Sequence, residues 1–222
     1  KKNLRKIAKS FDALSLDLSH ALPKVGVVGE IYVKYAALGN NHLEEFLVSE
    51  RAEVMVPGLY GFILYCLYNS IYDSEFYGHG KIKKLGAKFI IWYLRRREKL
   101  MINSMKHTKF TPMKYFSHTK DLSEGILSHG TKMGEGWLLT AEMMELVEIG
   151  YDNIICTQPF GCLPNHICGK GVMKKIKSLH PDANIVAIDY DPSATKVNQE
   201  NRIKLMLAIA REKIKENEDA KL

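Results

Sequence analysis

Three of the four cysteines in this 222-residue chain, Cys156, Cys162 and Cys168, fall within thirteen residues of one another. Cys162 lies in a Pro-Gly-Pro loop that follows an apolar run over residues 153–157. Open α/β sheets place their reactive groups beyond the carboxyl ends of the strands, so the sequence predicts a chemical site at Cys162. For Cys156, which lies within that run, packing in the core is the first interpretation. We expect Cys168 in the first turn of the next helix, where the dipole favours a thiolate.

The spacing of the cysteines separates several kinds of thiol chemistry. A self-contained structural zinc site or a thioredoxin-like site needs a Cys-x-x-Cys pair, and the sequence has none. Iron–sulfur clusters accept thiolates from separate loops that the fold brings together. Acyl transfer at Cys162 would need a base, for which His166 is near in sequence, but no third orienting group is evident. An iron ligand, a reactive thiol and an ordinary loop cysteine therefore remain open for Cys162.

Carboxylates follow the apolar run over residues 184–189, at Asp189 and Asp191. In a parallel sheet they lie on the same side as Cys162, where they could hold a hard cation, orient a ligand or cap the last helix. Capping is the commonest of these roles.

The sequence does not indicate a nucleotide-binding loop. Residues 26–29 lack the third glycine of the dinucleotide fingerprint, and Lys170 is followed by glycine rather than by the serine or threonine of a phosphate loop.

Short apolar runs alternate with helical patterns along the chain. This order predicts an α/β protein with a Rossmann-like parallel sheet of about four strands, flanking helices and a helical insertion. The predicted strands cover residues 24–31, 52–56, 153–157 and 184–189. The predicted organisation is a first helix over 4–18 within residues 1–23, a single lobe over 24–215 with a helical insertion at about 59–150 broken near 77–80, and a charged tail over 216–222.

Composition bounds the class of protein. Apolar residues make up 46% of the chain, enough to fill a core, and the cysteine pattern without a secretory signal predicts a reducing, cytoplasmic location. The uncharged run over residues 54–72 contains Pro57-Gly58, which favours a strand and a buried helix over a membrane span. The start at Lys1, without an initiator methionine, suggests a piece of a longer polypeptide.

Positive charge is concentrated in one segment. Residues 81–114 carry eleven lysines and arginines against the single acid Glu98, a local balance of +10, so the rest of the +7 chain is net −3. A solvated helix face is the simplest interpretation. The alternatives are a docking surface for an acidic protein or a site for the phosphates of a nucleotide-like substrate. No nucleic-acid-binding motif accompanies the charge.

Four motifs together resemble the 2-hydroxyacyl-CoA dehydratase superfamily, and within it the dehydratase-like C-terminal lobe of the large activase-like proteins. The likeness covers residues from about 24 to 210, and the Gln-Pro-Phe-Gly-Cys element is specific. The motifs are Gly29-Glu30-Ile31-Tyr32, Gly134-Glu135-Gly136-Trp137, Gln158-Pro159-Phe160-Gly161-Cys162-Leu163-Pro164-Asn165-His166, and Ile188-Asp189-Tyr190-Asp191-Pro192 with the Asn-rich helix after it.

This resemblance implies an oxygen-sensitive iron–sulfur protein of anaerobic metabolism. In that superfamily two Rossmann-like lobes hold a cluster, of the 4Fe–4S type or larger, through cysteines from both lobes, and an ATP-driven activator delivers electrons singly at low potential. The cysteine of this chain that matches is Cys162, with Cys156 and Cys168 as further candidate ligands. The same motifs supply the expected wall of the site: Glu30, Glu135, Trp137, Gln158, Asn165, His166, Asp189 and Asp191.

The chain matches only part of such a protein. Its expected partners are the upstream lobe and the ATPase module of the same polypeptide, with an acidic redox partner or a homodimer as further candidates, and neither nucleic acid nor membrane. We expect the isolated chain to be inactive, and its cluster site can be empty. The competing hypothesis is a docking module that binds a redox partner through its basic segment, residues 81–114, and has no cluster of its own.

Overall fold

A sheet of four parallel strands positions the cysteine loop. The computed structural model describes residues 1–191 and 193–220. The strands lie in the order β2-β1-β3-β4, which confirms the predicted Rossmann-like α/β fold. Each strand lies within two residues of its predicted limits: β1 (Lys24–Gly29), β2 (Glu53–Met55), β3 (Asn153–Pro159) and β4 (Asn184–Tyr190).

The register brings the carboxyl ends of the three longer strands to one edge. Gly29 of β1 pairs with Thr157 of β3, and Gln158 of β3 pairs with Asp189 of β4. The chain passes from β1 to β2 on one side and from β3 to β4 on the other. The connections therefore diverge between β1 and β3, and such a switch point forms a crevice where open α/β sheets bind ligands.

Ten α-helices accompany the strands within the described residues, with a 3₁₀ turn over Lys170–Val172. They are α1 (Lys2–Asp12), α2 (Ile31–Tyr35), α3 (Leu43–Ser49), α4 (Leu59–Tyr77), α5 (Lys81–Met105), α6 (Phe116–Asp121), α7 (Trp137–Glu148), α8 (Leu163–Cys168), α9 (Met173–Leu179) and α10 (Lys196–Asp219).

The chain divides into two units. The first comprises Lys1–His20 and Tyr60–Asp121, and the second comprises Ala21–Leu59 and Leu122–Leu222. The second unit contains the sheet. The sequence placed α7 in the helical insertion, whereas the side chains of Leu139 and Met143 belong to the core of the sheet. Helix α7 therefore belongs to the unit that contains the sheet, and the first unit holds α1 and the helices of residues 60–121.

Both faces of the sheet are buried. One face packs Val27, Ile155 and Leu207 into a common cluster, and the other packs Val28 and Ile154 into a second. Successive residues of a strand point to opposite faces, so a strand covered on both sides needs apolar residues at every position. This requirement explains why the strands could be recognised as uninterrupted apolar runs.

The first unit is helical. The break predicted near residues 77–80 is confirmed, because Gly78 and Gly80 have positive φ angles between α4 and α5. The first helix ends at Asp12 instead of residue 18 and buries none of its side chains, so no packing holds its predicted last turns in helical form. The short helix α6 follows α5 in the chain, and its Phe116 is buried.

The last helix continues to Asp219, so residues 216–219 are helical where the sequence predicted a tail. Arginine, lysine and glutamate, which make up most of residues 211–218, have good helix propensity and extend the helix without help from the core. The end of the predicted tail, residues 221–222, lies outside the described residues. Among the helices of the described chain, none is both long and apolar enough to cross a membrane.

Candidate functional site

The candidate site lies at the carboxyl edge of the sheet, beside the crevice between β1 and β3. The backbones approach very closely there: a Cβ atom added to Gly29 would stand 1.9 Å from the carbonyl oxygen of Thr157. Gly29 also has a φ angle of +143°, which a residue with a side chain rarely adopts. The carbonyl of Thr157 accepts the backbone N–H of Glu30 at 3.0 Å, which joins the two strand ends.

Cys162 occupies the position just before helix α8. Its side chain is half-buried, and the Asn165 side-chain amide donates a hydrogen bond to its sulfur at 3.0 Å. An N–H donor stabilises negative charge on sulfur, and hydrogen bonds to cysteine sulfurs adjust the potential of thiolate-bound clusters. The hydrogen bond to this sulfur thus comes from Asn165. His166, the base considered for acyl transfer, instead donates its backbone N–H to the Cys162 carbonyl.

Polar groups at the ends of β3 and β4 form a small network behind Cys162. The buried Gln158 amide donates a hydrogen bond to the Asp189 carboxylate, and the Lys170 ammonium lies 3.8 Å from the other oxygen of that carboxylate. The side-chain carbonyl oxygens of Gln158 and Asn165 are buried, and no described residue donates to either of them. Buried acceptors are normally satisfied, so donors of a bound molecule or water fit this edge.

Cys156 is buried in the core. Its side chain is 0% exposed, and burial raises the pKa of its thiol to about 12. The sulfur lies under Gly169, where an added Cβ would approach it to 2.8 Å. Its expected core packing is confirmed. A ligand or nucleophile must be accessible and ionised, and this thiol is neither at neutral pH.

The position predicted for Cys168 is wrong. Helix α8 begins at Leu163 and ends at Cys168, so this cysteine is in the last turn rather than the first. Pro164 lies in the first turn of α8, where a backbone N–H has no partner inside the helix and its loss costs nothing. The prediction for Cys168 assumed that the helix begins after this proline. Burial raises the pKa of Cys168 to about 11 instead of the N-terminal dipole lowering it.

Glu30 and Glu135 cap the start of α2. A carboxylate oxygen of Glu30 accepts the N–H of Val33 at 2.8 Å, and one of Glu135 accepts the N–H of Ile31 at 2.9 Å. Helix starts leave such N–H groups without partners inside the helix. Both acids therefore fix the backbone at the start of α2, directly after β1, on the β1 side of the crevice.

A buried ion pair joins α2 to α7 next to these caps. Lys34 and Glu142 approach to 3.1 Å, with side chains 3% and 4% exposed. Burial raises the pKa of Glu142, and although burial opposes the charge of Lys34, attraction to Glu142 keeps the pKa of Lys34 above its usual value. The sequence did not predict this pair, and the one local sign of it is an acid, Glu142, in the mostly apolar first half of α7.

The remaining predicted wall residues divide between core and surface. Trp137 is 0% exposed and packs edge-on against His129, with ring centroids 4.7 Å apart. Asp191 accepts the N–H of Ser193 at 2.9 Å, and the N-cap position of α10 is held by Thr195, whose side chain makes no capping hydrogen bond.

The rim around Cys162 is apolar and exposed. Phe160 is 76% exposed, Leu163 67% and Ile167 48%, and all three flank the cysteine in sequence. Across the described residues, no three His, Cys, Asp or Glu side chains gather closely enough to hold a metal ion. The edge thus offers one accessible thiol, a hydrogen-bond donor to it and an apolar border.

Comparison with known proteins gives no relative: no family model, curated protein or solved structure matches this chain.

Proposed function

We propose that this chain is the cluster-binding lobe of a 2-hydroxyacyl-CoA dehydratase- or activase-like protein, and that it supplies one ligand, Cys162, to an iron–sulfur cluster. The proposal combines the resemblance of the motifs with the geometry of the sheet edge. The single observation that carries it is the accessibility of Cys162, since Cys156 and Cys168 are 0% and 1% exposed. A cluster ligand must reach the surface where a second protein lobe contributes its own ligands.

The surroundings of Cys162 support this role in two ways. The Asn165 amide donates a hydrogen bond to the sulfur at 3.0 Å, and such bonds adjust the reduction potential of thiolate-bound clusters. The exposed side chains of Phe160 and Leu163 form an apolar border of the kind that another lobe covers on binding. A cluster excluded from water in this way is protected and has a lower local dielectric.

The fit to a complete cluster is partial. One thiol is too few for a cluster of the 4Fe–4S type, which takes several thiolates. We infer that the other ligands come from the upstream lobe of the same polypeptide, joined to an ATPase module that drives electron delivery. When bound, such a cluster takes up and releases single electrons at low potential. The part of this chain is to hold one thiolate, donate to it through Asn165, and exclude water with the rim.

The test is anaerobic assembly of a cluster on the 222-residue chain with iron, sulfide and an excess of a small thiol, which supplies the missing ligands. Protein-bound iron, acid-labile sulfide and broad visible absorption should survive gel filtration. Cys162→Ser should lose all three. Cys66→Ser is the matched control, because Cys66 is an exposed cysteine distant in sequence from the site.

The assignment would be overturned by iron and sulfide content that is unchanged in Cys162→Ser. It would also be overturned by equal loss in the Cys66→Ser control, which would show unspecific binding to exposed thiols. Thermal melting of each variant excludes misfolding as the cause. The conservative variant Asn165→Asp removes the donor but keeps the size of the side chain, and it should shift the reduction potential of the bound cluster rather than abolish its assembly.

A further inference from the structure

A groove within the first unit is lined by both cations and aromatic rings. It lies along one side of α5, with a volume of about 540 Å³. Its lining includes Lys88, Arg95, Arg96 and Lys99, which recur at helical spacing on α5 and therefore share a face. The groove is thus the concave part of the basic segment over residues 81–114.

The cations of this groove form no ion pairs within the described part of the chain. All four cations are exposed. The one acid of the segment, Glu98, is 0% exposed and accepts the backbone N–H of Phe116 at 2.6 Å. It is buried in the unit, where it interacts with the charge of Arg95, so it offsets the positive charge of the groove only in part.

Two other cations of α5, Lys84 and Arg97, do have protein partners. Lys84 pairs with Glu75 at 3.0 Å, and Arg97 donates to the Tyr93 hydroxyl at 2.7 Å. Arg96 is held over the ring of Trp92, 4.3 Å from its centroid. This contact fixes the guanidinium at the groove, and a pre-positioned cation loses less entropy on binding an anion.

The floor of the groove is apolar and aromatic. Ile71 and Ile91 are buried beneath it, and the rings of Tyr68 and Tyr115 border it. Tyr115 is 37% exposed, so part of its ring is open to a ligand. A ring beside cations suits a molecule that has a flat body as well as negative charge.

We propose that this groove binds a small organic polyphosphate of nucleoside di- or triphosphate size, with the phosphates on the four cations and the flat body against Tyr68 and Tyr115. The volume lies within the range of about 300–1,000 Å³ that is usual for small-molecule sites. Guanidinium groups match phosphate oxygens in a bidentate manner, and lysines add charge. A concave site of this size favours a small molecule over an acidic protein surface, which would need a broader and flatter contact.

The experiment measures binding of ATP to the full chain by calorimetry, with tripolyphosphate, adenosine and a poly-glutamate peptide as comparison probes. Lys88→Gln with Lys99→Gln should weaken ATP binding at least about tenfold, because each charge-assisted contact contributes that order. Lys81→Gln with Lys83→Gln is the matched control: it removes the same charge from exposed positions of α5 outside the groove and should change affinity less than about twofold. Tyr115→Ala should weaken ATP binding and leave tripolyphosphate binding unchanged.

ATP binding tighter than tripolyphosphate binding, with loss confined to the groove variant, supports the proposal. Equal weakening by the two lysine variants would overturn it, because the affinity would then come from general charge. Tripolyphosphate as tight as ATP would overturn the role of the aromatic border. Binding of the poly-glutamate peptide without binding of ATP would overturn it in favour of an acidic protein partner. None of these outcomes bears on Cys162, so this proposal and the cluster assignment fail separately.

Discussion

Alkylation of the folded chain with iodoacetamide near neutral pH tests the different surroundings of the three neighbouring cysteines. The thiolate is the reacting species, so the rate depends on the ionised fraction and on access to the sulfur. Burial raises the pKa of Cys156 from the ordinary 9.0 to about 12 and that of Cys168 to about 11. Near pH 7 the thiolate fraction falls about tenfold for each unit of rise.

These pKa values set the expected size of the effect. Relative to an ordinary thiol, ionisation is reduced about a thousandfold for Cys156 and about a hundredfold for Cys168. Both sulfurs also lie in the core, so each must wait for a local opening of the structure before it reacts. Cys162 is half-buried at the sheet edge and needs no such opening. We therefore expect Cys162 to react at least about a hundredfold faster than Cys156.

Timed quenching followed by peptide mass spectrometry gives the rate at each cysteine. The exposed Cys66 supplies a second labelled position in the same sample. In concentrated urea all four thiols should react at similar rates, since the burial that separates them is gone. Modification of Cys156 as fast as Cys162 in the folded protein would refute the reasoning, because the core position of Cys156 underlies the choice of Cys162 as the ligand.

Two further predictions concern buried charge. Lys34→Met leaves Glu142 buried without its cation and should lower the free energy of unfolding by about 3–5 kcal/mol in urea titrations. A second change in the same chain, Glu142→Leu, should restore most of the loss. An unchanged urea midpoint for Lys34→Met would contradict this expectation. Burial raises the pKa of Glu98, so its stabilising contribution is full below the ordinary carboxyl pKa and is lost as pH rises through the folded-state pKa. Glu98→Gln should therefore raise the melting temperature near neutral pH and change it little in acid, and the reverse pH trend would count against it.

Much of the sheet followed from local pattern. The four strands were recognisable because their residues are apolar at successive positions, and the buried faces on both sides require this. The place of Cys162 at the rim also followed, since a loop after a parallel strand lies at the carboxyl edge. The start of α8 did not follow, because proline is tolerated in a first helical turn and marks a boundary ambiguously. That error alone reversed the expected environment of Cys168.

Contacts between distant segments were beyond local pattern. Lys34 and Glu142 are 108 residues apart, and neither residue's neighbours indicate that it is buried with the other. The donor to the Cys162 sulfur was included in the expected wall of the site, but its hydrogen bond depends on the turn that α8 makes after the cysteine. The same holds for the groove on α5, whose cations were visible in the sequence and whose concave shape was not.

The sequence by itself determined the four strands and their succession along the chain, the concentration of positive charge between residues 81 and 114, and the position of one cysteine just after β3. The tertiary structure alone decided which thiols are accessible, which acids are paired, and which cations lack a protein partner. The physical reason is range: helix and strand periods are set by neighbours in the chain, whereas burial and pairing depend on side chains brought together from distant segments.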